Sequence, residues 1–250
     1  MQLEAITWQR MAERLAGHLD DNDNGNDTDT DNDNDRKENG SDNGSDDGRG
    51  DHGSGTGRPA GGWLRVGIDG APAARTGVLA AELADVLRLR GRSVLIVAAE
   101  GFLRPASLRF EFGREDVDSY LDGWYDTAAL WREVFGPTDA GGTGRVLPDL
   151  WDPATDRATR SPYVELPPGG VLIVHGPLLL GHWFPFDLSV HIGLSPGALA
   201  RHTEESARWT LPAFARYEAE TGPADRADAL VRADDPRHPA WTGLRAKGTG

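Results

Sequence analysis

An α/β fold built on a doubly wound, mainly parallel sheet is the architecture this sequence predicts, and three observations predict it. Residues 93–98 (SVLIVA) and 170–175 (GVLIVH) are continuous apolar runs, as strands become when helices cover both faces of a sheet. Strand-like and helix-like stretches alternate along the chain, and the connections between them are short, which implies right-handed parallel crossovers. The chain has 250 residues, enough for one such domain with additions.

Taken in order, Leu3, Ile6, Trp8, Met11, Leu15 and Leu19 recur at roughly helical spacing. They predict an amphipathic helix within residues 1–19, ending near His18, whose apolar face must dock on the main domain or on a partner. Residues 20–62 are Asp, Asn, Gly, Ser and Thr with almost no apolar side chain to offset ordering entropy, so an acidic, disordered linker is expected. Asp20, Asn22, Asn24 and Gly25 imitate the opening of a calcium loop, with Asp31 in the twelfth place. The bidentate Glu, the apolar eighth residue and a second helix are missing, which favours a solvated linker.

From Trp63 the pattern changes. Residues 64–68 (LRVGI) form a short strand that runs into Asp69 and Gly70, and residues 76–90 form a helix with Val78, Leu79, Leu83, Val86 and Leu87 on one face. The run at 93–98 follows as a strand, then a mostly helical stretch over 117–135. Residues 145–165, rich in Pro, Asp and Thr, form a hairpin or an irregular excursion. Buried strands are expected at 170–175 and 187–194, helices at 196–202 and 211–220, and a last short strand at 229–233. Residues 63–241 thus make one domain, and 242–250 a flexible tail.

Composition narrows the function. Between Asp20 and Arg58 thirteen acids face four basic residues, so most of the formal charge of −14 sits in one tract. The folded part carries no basic stripe able to neutralise a phosphate backbone, and nucleic acid is not an expected partner. The absence of cysteine excludes disulfides, thiolate catalysis and Cys-ligated zinc. No apolar run approaches the roughly 20 residues of a membrane span, and the first twenty residues lack a signal-peptide core, so a cytoplasmic protein is expected.

Four stretches carry a family resemblance by their order: Val66-Gly67-Ile68-Asp69-Gly70 leading to Arg75-Thr76; Glu100-Gly101-Phe102-Leu103-Arg104-Pro105; Asp118 to Asp126 (DSYLDGWYD); and Val171 to Leu180. With Ala233-Asp234-Asp235-Pro236 near the end, they resemble the uridine-kinase type of P-loop kinase over nearly all of residues 63–239. The resemblance implies a P-loop kinase-like domain that transfers a phosphoryl group from ATP, with Mg²⁺, to a small hydroxyl-bearing substrate. Oligomeric state does not follow from it.

The resemblance also assigns roles, and this chain departs from several of them. Nucleotide would rest on Gly70, Ala71, Ala73, Ala74, Arg75 and Thr76, with the Thr76 hydroxyl on the metal. The usual G-x-x-x-x-G-K-[ST] loop lets glycine amides approach the phosphates. Here Gly70 to Thr76 is one residue short, Arg75 replaces Lys, and the motif glycines counted back from Arg75-Thr76 fall on Asp69 and Ala74. Pro72 lacks an N–H. Read on the residues alone, the same stretch is an ordinary strand-to-helix turn.

Glu100, at a strand's carboxyl end, is the expected catalytic base, with Gly101 where a second acid would stand. His175 takes the place of a metal-tuning acid and reads as a buried histidine with its hydrogen bonds satisfied. Arg114, Tyr120, Asp122, Tyr125 and Asp126 match the acceptor-binding segment, although the aromatics suit a core equally well. Arg201, Arg208 and above all Arg216 fall where a lid would supply charge to the transferring phosphoryl group, with Arg75 beside it. A catalytically inactive binding or regulatory module is the alternative, because loop, acid pair and metal-tuning acid all depart from the family pattern.

Overall fold

The computed structural model describes residues 3–27 and 62–245. Its main element is a seven-stranded sheet. Along the chain lie β1 (Glu4–Ala5), α1 (Trp8–Asp27), β2 (Leu64–Asp69), α2 (Thr76–Leu89), β3 (Val94–Ala98), α3 (Val117–Gly123), β4 (Val171–Gly176), β5 (Leu188–Gly193), α4 (Pro196–His202), α5 (Leu211–Thr221), β6 (Ala229–Arg232) and β7 (Ala240–Trp241). The strand order is β1-β7-β6-β5-β2-β4-β3.

The pairs among β6, β5, β2, β4 and β3 are all parallel, and the short β7 pairs antiparallel with both β6 and β1. This is the doubly wound sheet that the apolar runs predict. β2 is central because its register is shared: Val66 lies opposite Ile173 on one side and Leu188 on the other. Gly67 is required there, since a Cβ would sit 2.7 Å from the Phe186 ring.

One face of the sheet is covered by α1 and α2. Met11, Ala12, Leu15, Ala16 and Leu19 are buried with Leu79, Leu83 and Leu87 and the sheet residues Val66, Val171 and Val190 in one cluster. The first helix therefore docks on the main domain, and β1 adds a strand to its sheet. The helix begins at Trp8 and runs through Asp27, beyond the boundary that apolar spacing suggested. Two ion pairs hold its acidic extension: Arg90 to Asp20 at 2.7 Å and Arg92 to Asp23 at 2.6 Å. Residues 20–25, which imitate a calcium loop in sequence, are helical. Asp31 and the rest of the expected linker to residue 61 lie outside the described residues.

The opposite face carries a second cluster in which Phe102, Leu130, Val134 and Phe135 pack on Leu172 and Val174. The stretch expected to be mostly helical is broken into α3, a turn at Thr127–Leu130 and a π-helical turn at Trp131–Phe135. Residues 145–165 form two small antiparallel pairs, Arg145–Val146 with Val164–Glu165 and Trp151–Asp152 with Arg157–Ala158. The start of the expected tail is held by backbone hydrogen bonds, Thr242 N to Leu230 O and Arg245 N to Asp228 O. Among the described residues no helix is long and apolar enough to cross a membrane.

Leu15 is fully buried between the first helix and the domain. Leu15→Ala is expected to lower the unfolding free energy by about 2–5 kcal/mol, read from urea denaturation. A loss below about 0.5 kcal/mol, the scale of a neutral surface change, would show that α1 is not part of the core.

Candidate functional site

The carboxyl ends of β2, β4 and β5 meet at the turn between β2 and α2, where open α/β sheets bind ligands. The shortened sequence folds tightly there. Pro72–Ala74 forms a 3₁₀ turn, in which Ala74 N donates to Ala71 O at 2.7 Å and Arg75 N to Pro72 O at 3.1 Å. Gly70 N donates across the sheet to Gly176 O. Of the five positions from Ala71 to Arg75, three offer no inward amide: Pro72 has none, and those of Ala74 and Arg75 are bonded within the turn. The Ala74 methyl is buried. Gly70 is required by close approach, because a Cβ would lie 2.8 Å from Ile192 O.

The turn leads directly into α2. Arg75 caps α2 in the left-handed conformation, φ 54° and ψ 49°, without a side-chain capping bond. A non-glycine residue there costs about 1–2 kcal/mol. Thr76 begins the helix, and its Oγ1 lies 3.1 Å from His175 Nδ1. Burial pulls the His175 pKa below its usual value, which favours the neutral ring as a partner for the hydroxyl. The expected metal position thus holds a half-buried hydroxyl–imidazole pair, and β4 itself ends without an acid, although the Glu100 carboxylate approaches Gly176, with Oε2 3.3 Å from where a Cβ there would sit. The hydroxyl–imidazole pair does not fit Mg²⁺, which takes hard oxygen ligands and carboxylates.

A buried charge chain lies beside the turn. Asp69 is fully buried; its Oδ1 accepts from Leu179 N at 2.8 Å and its Oδ2 lies 2.7 Å from His191 Nδ1. His191 Nε2 lies 3.0 Å from Glu218 Oε1 on α5. Burial alone would lower the His191 pKa, but hydrogen bonds to the Asp69 and Glu218 carboxylates outweigh it and hold the pKa at about 9. Glu218 is lowered in turn, chiefly by its bond to His191. None of these three residues is among the sequence-derived site candidates. The available signal was a polar residue at the carboxyl end of an apolar strand, Asp69 in LRVGID and His191 in LSVHIG.

Two cavities flank the turn. One, of about 630 Å³, is bordered by Pro72, Ala73 and Arg75 on the loop side and by Tyr120, Trp124 and Trp209 among its aromatic walls. Tyr120 sits edge-on to Trp124 at 5.0 Å and to Trp209 at 5.5 Å between centroids. The second, about 590 Å³, lies behind the loop against His191 and Glu218.

The expected site residues divide accordingly. Arg75, Tyr120 and Tyr125 line the first cavity. Glu100 is near the two tyrosines, raising the pKa of both after the larger effect of their own burial. Burial raises Glu100's own pKa. The other candidates are placed elsewhere. Arg216 is tied to Asp118 and Glu220 and does not line the first cavity. Arg114 lies over the Phe110 ring, and Asp122 is exposed beside shallower recesses. Asp126 caps the following turn through Ala129 N at 2.9 Å. Each has a local partner or a solvent-facing position, and none of them lines the first cavity.

No family model matches the chain in sequence, and no curated protein matches it. Solved structures do. A protein described as a possible uridine kinase from Bacillus stearothermophilus aligns over 68% of this chain and 88% of its own, with TM-score 0.56 and 22% identity. A D-glycerate 3-kinase from Cryptococcus neoformans var. grubii aligns over 85% and 80%, with TM-score 0.44 and 16% identity. The first likeness shows a kinase-like P-loop fold; at that identity it says nothing of substrate, and the second carries no weight.

Two outcomes test the geometry. The His191 pKa is raised above an unfolded value of about 6.5, so its stabilisation is complete below that pH and is lost as pH rises through about 9. The urea midpoint is expected to fall between about pH 6.5 and 9.5, and His191→Gln to flatten that window. Arg75→Gly relieves the left-handed strain and is expected to raise stability by about 1 kcal/mol in the same assay. Destabilisation would mean that the arginine side chain itself holds the turn.

Proposed function

We propose that this chain is a kinase-derived binding module that holds a small, uncharged, ring-bearing ligand such as a nucleoside in its aromatic cavity and transfers no phosphoryl group. The carrying observation is the turn between β2 and α2: its Ala74 and Arg75 amides are bonded to its own carbonyls, and the Thr76 hydroxyl is paired with His175. Phosphoryl transfer depends on positioned amides, a cation and metal to neutralise developing charge. Arg75 keeps a charge at the cavity edge, but its fork cannot replace the missing amides.

The aromatic walls support the binding half of the reading. Tyr120, Trp124 and Trp209 present ring faces and edges to a cavity large enough for a nucleoside. The structural neighbour described as a possible uridine kinase makes uridine the first ligand to try. The active-kinase reading draws on Glu100, whose pKa is raised toward the range of a useful base. It lacks a matching phosphate site.

Calorimetry and a transfer assay separate the two. Uridine is expected to bind saturably, and Trp209→Ala to weaken it about tenfold, the scale of losing one ring that stacks on a base. ATP with Mg²⁺ is expected to give no saturable heat. Transfer of labelled γ-phosphate to uridine above a Glu100→Gln control would overturn the inactive reading.

A further inference from the structure

The cavity of about 590 Å³ behind the loop is separate from the aromatic one and shares only the Phe214 wall with it. Leu194, Leu199, Leu211 and Pro212 give it an apolar body, while Glu218 and Arg232 converge at one side. A well-formed apolar pocket with a few convergent polar groups is the usual form of a small-molecule site. The polar groups here are constrained. His191 has both ring nitrogens engaged and cannot receive a ligand. Glu218 commits Oε1 to His191, which fixes the carboxylate and leaves Oε2 available. Arg232 extends over Gly193, where a Cβ would sit 2.9 Å from a guanidinium nitrogen. Among the described residues Arg232 makes no hydrogen bond or ion pair, although its charge is felt by Glu218 and Asp234.

We propose that this cavity is a second small-molecule site, and that it takes an uncharged ligand with an apolar ring and a carboxamide-like edge. The ligand N–H donates to Glu218 and its carbonyl accepts from Arg232. The pairing follows from the inventory: a carboxylate only accepts and a guanidinium only donates. Charge sets the selectivity. An anionic head can pair with Arg232 but is repelled by Glu218 and leaves it unpaired; a cationic head can pair with Glu218 but is repelled by Arg232 and leaves it unpaired. Only a head offering both a donor and an acceptor satisfies the two sides, and a site so built rejects analogues that leave one side unpaired.

Three ligands of one shape test this: benzamide, benzoate and benzamidine, titrated into the 250-residue chain and followed by the His191 ring resonances. Benzamide is expected to bind saturably, with the two charged analogues at least about tenfold weaker. Arg232→Met, at an exposed position that leaves the fold intact, is expected to weaken benzamide by about tenfold or more. Glu218→Gln keeps the side-chain shape, removes the negative charge and is expected to let benzoate gain on benzamide. Leu211→Trp fills the cavity and is expected to abolish benzamide binding while leaving the uridine response of the aromatic cavity unchanged. Absence of saturation with benzamide, equal affinity for benzoate, or an Arg232→Met variant that binds as well as the parent would overturn the proposal. Uridine binding is read in the same samples, so failure here leaves the aromatic site to be judged separately.

Discussion

A carboxylate at the end of the central strand governs the local structure. Asp69 has no exposed surface, and an isolated charge there would be costly to bury. It is tolerated because three groups converge on it: the Leu179 amide, the His191 ring and, through that ring, Glu218. Each comes from a different element, so satisfying one side chain fixes the positions of β2, β5, the turn after β4 and α5 together. Breaking such a buried pair by removing one partner typically costs about 3–5 kcal/mol, whereas replacing all of it can be neutral. The chain is therefore better understood as a clamp that specifies geometry than as a source of net stability.

The clamp and the shortened loop belong to one arrangement. A loop that wraps an anion keeps its amides pointed inward and needs a bound anion to compensate them. Here the turn bonds two of its own amides, Asp69 and Glu218 are matched around His191 on one side, and the neutral Thr76–His175 pair lies on the other. The left-handed Arg75 shows the cost of this closure, since a residue with a Cβ holds a conformation that glycine would adopt more easily. Strain of this kind persists only where the surrounding structure imposes it. The buried Ala74 and the close packing of Gly70 against Ile192 O supply that constraint.

Most of the fold was legible because it rests on periodicity. The runs at 93–98 and 170–175 are apolar throughout because both sheet faces are covered, and α2 shows its buried stripe in Leu79, Leu83 and Leu87. The length of α1 was not legible: Asp20 and Asp23 are poor helix formers, and Arg90 and Arg92, some 70 residues away in the chain, pair with them. The site was legible in part. Tyr120, Tyr125 and Arg75 border a cavity as their motif positions suggest, but Asp126 is a helix cap and Arg216 a surface ion pair, roles that spacing alone does not distinguish. His191 escaped notice because its meaning depends on Asp69 and Glu218, which are 122 and 27 positions away.

The overall charge gives the same direction as the local geometry. Most of the −14 sits in the tract between Asp20 and Arg58, but the rest of the chain is still mildly acidic and has no basic stripe, so a polyphosphate meets a weakly unfavourable field that screening over about 8–10 Å reduces without reversing. An active kinase overcomes such a field with a lysine, a metal and a ring of amides. This chain has one exposed arginine at the corresponding place and a turn that has closed upon itself. Uncharged ligands incur no such repulsion and gain the full benefit of apolar and aromatic walls. Both cavities beside the loop have apolar or aromatic walls, so on the proposed reading a turn that bonds its own amides still leaves pockets suited to uncharged ligands.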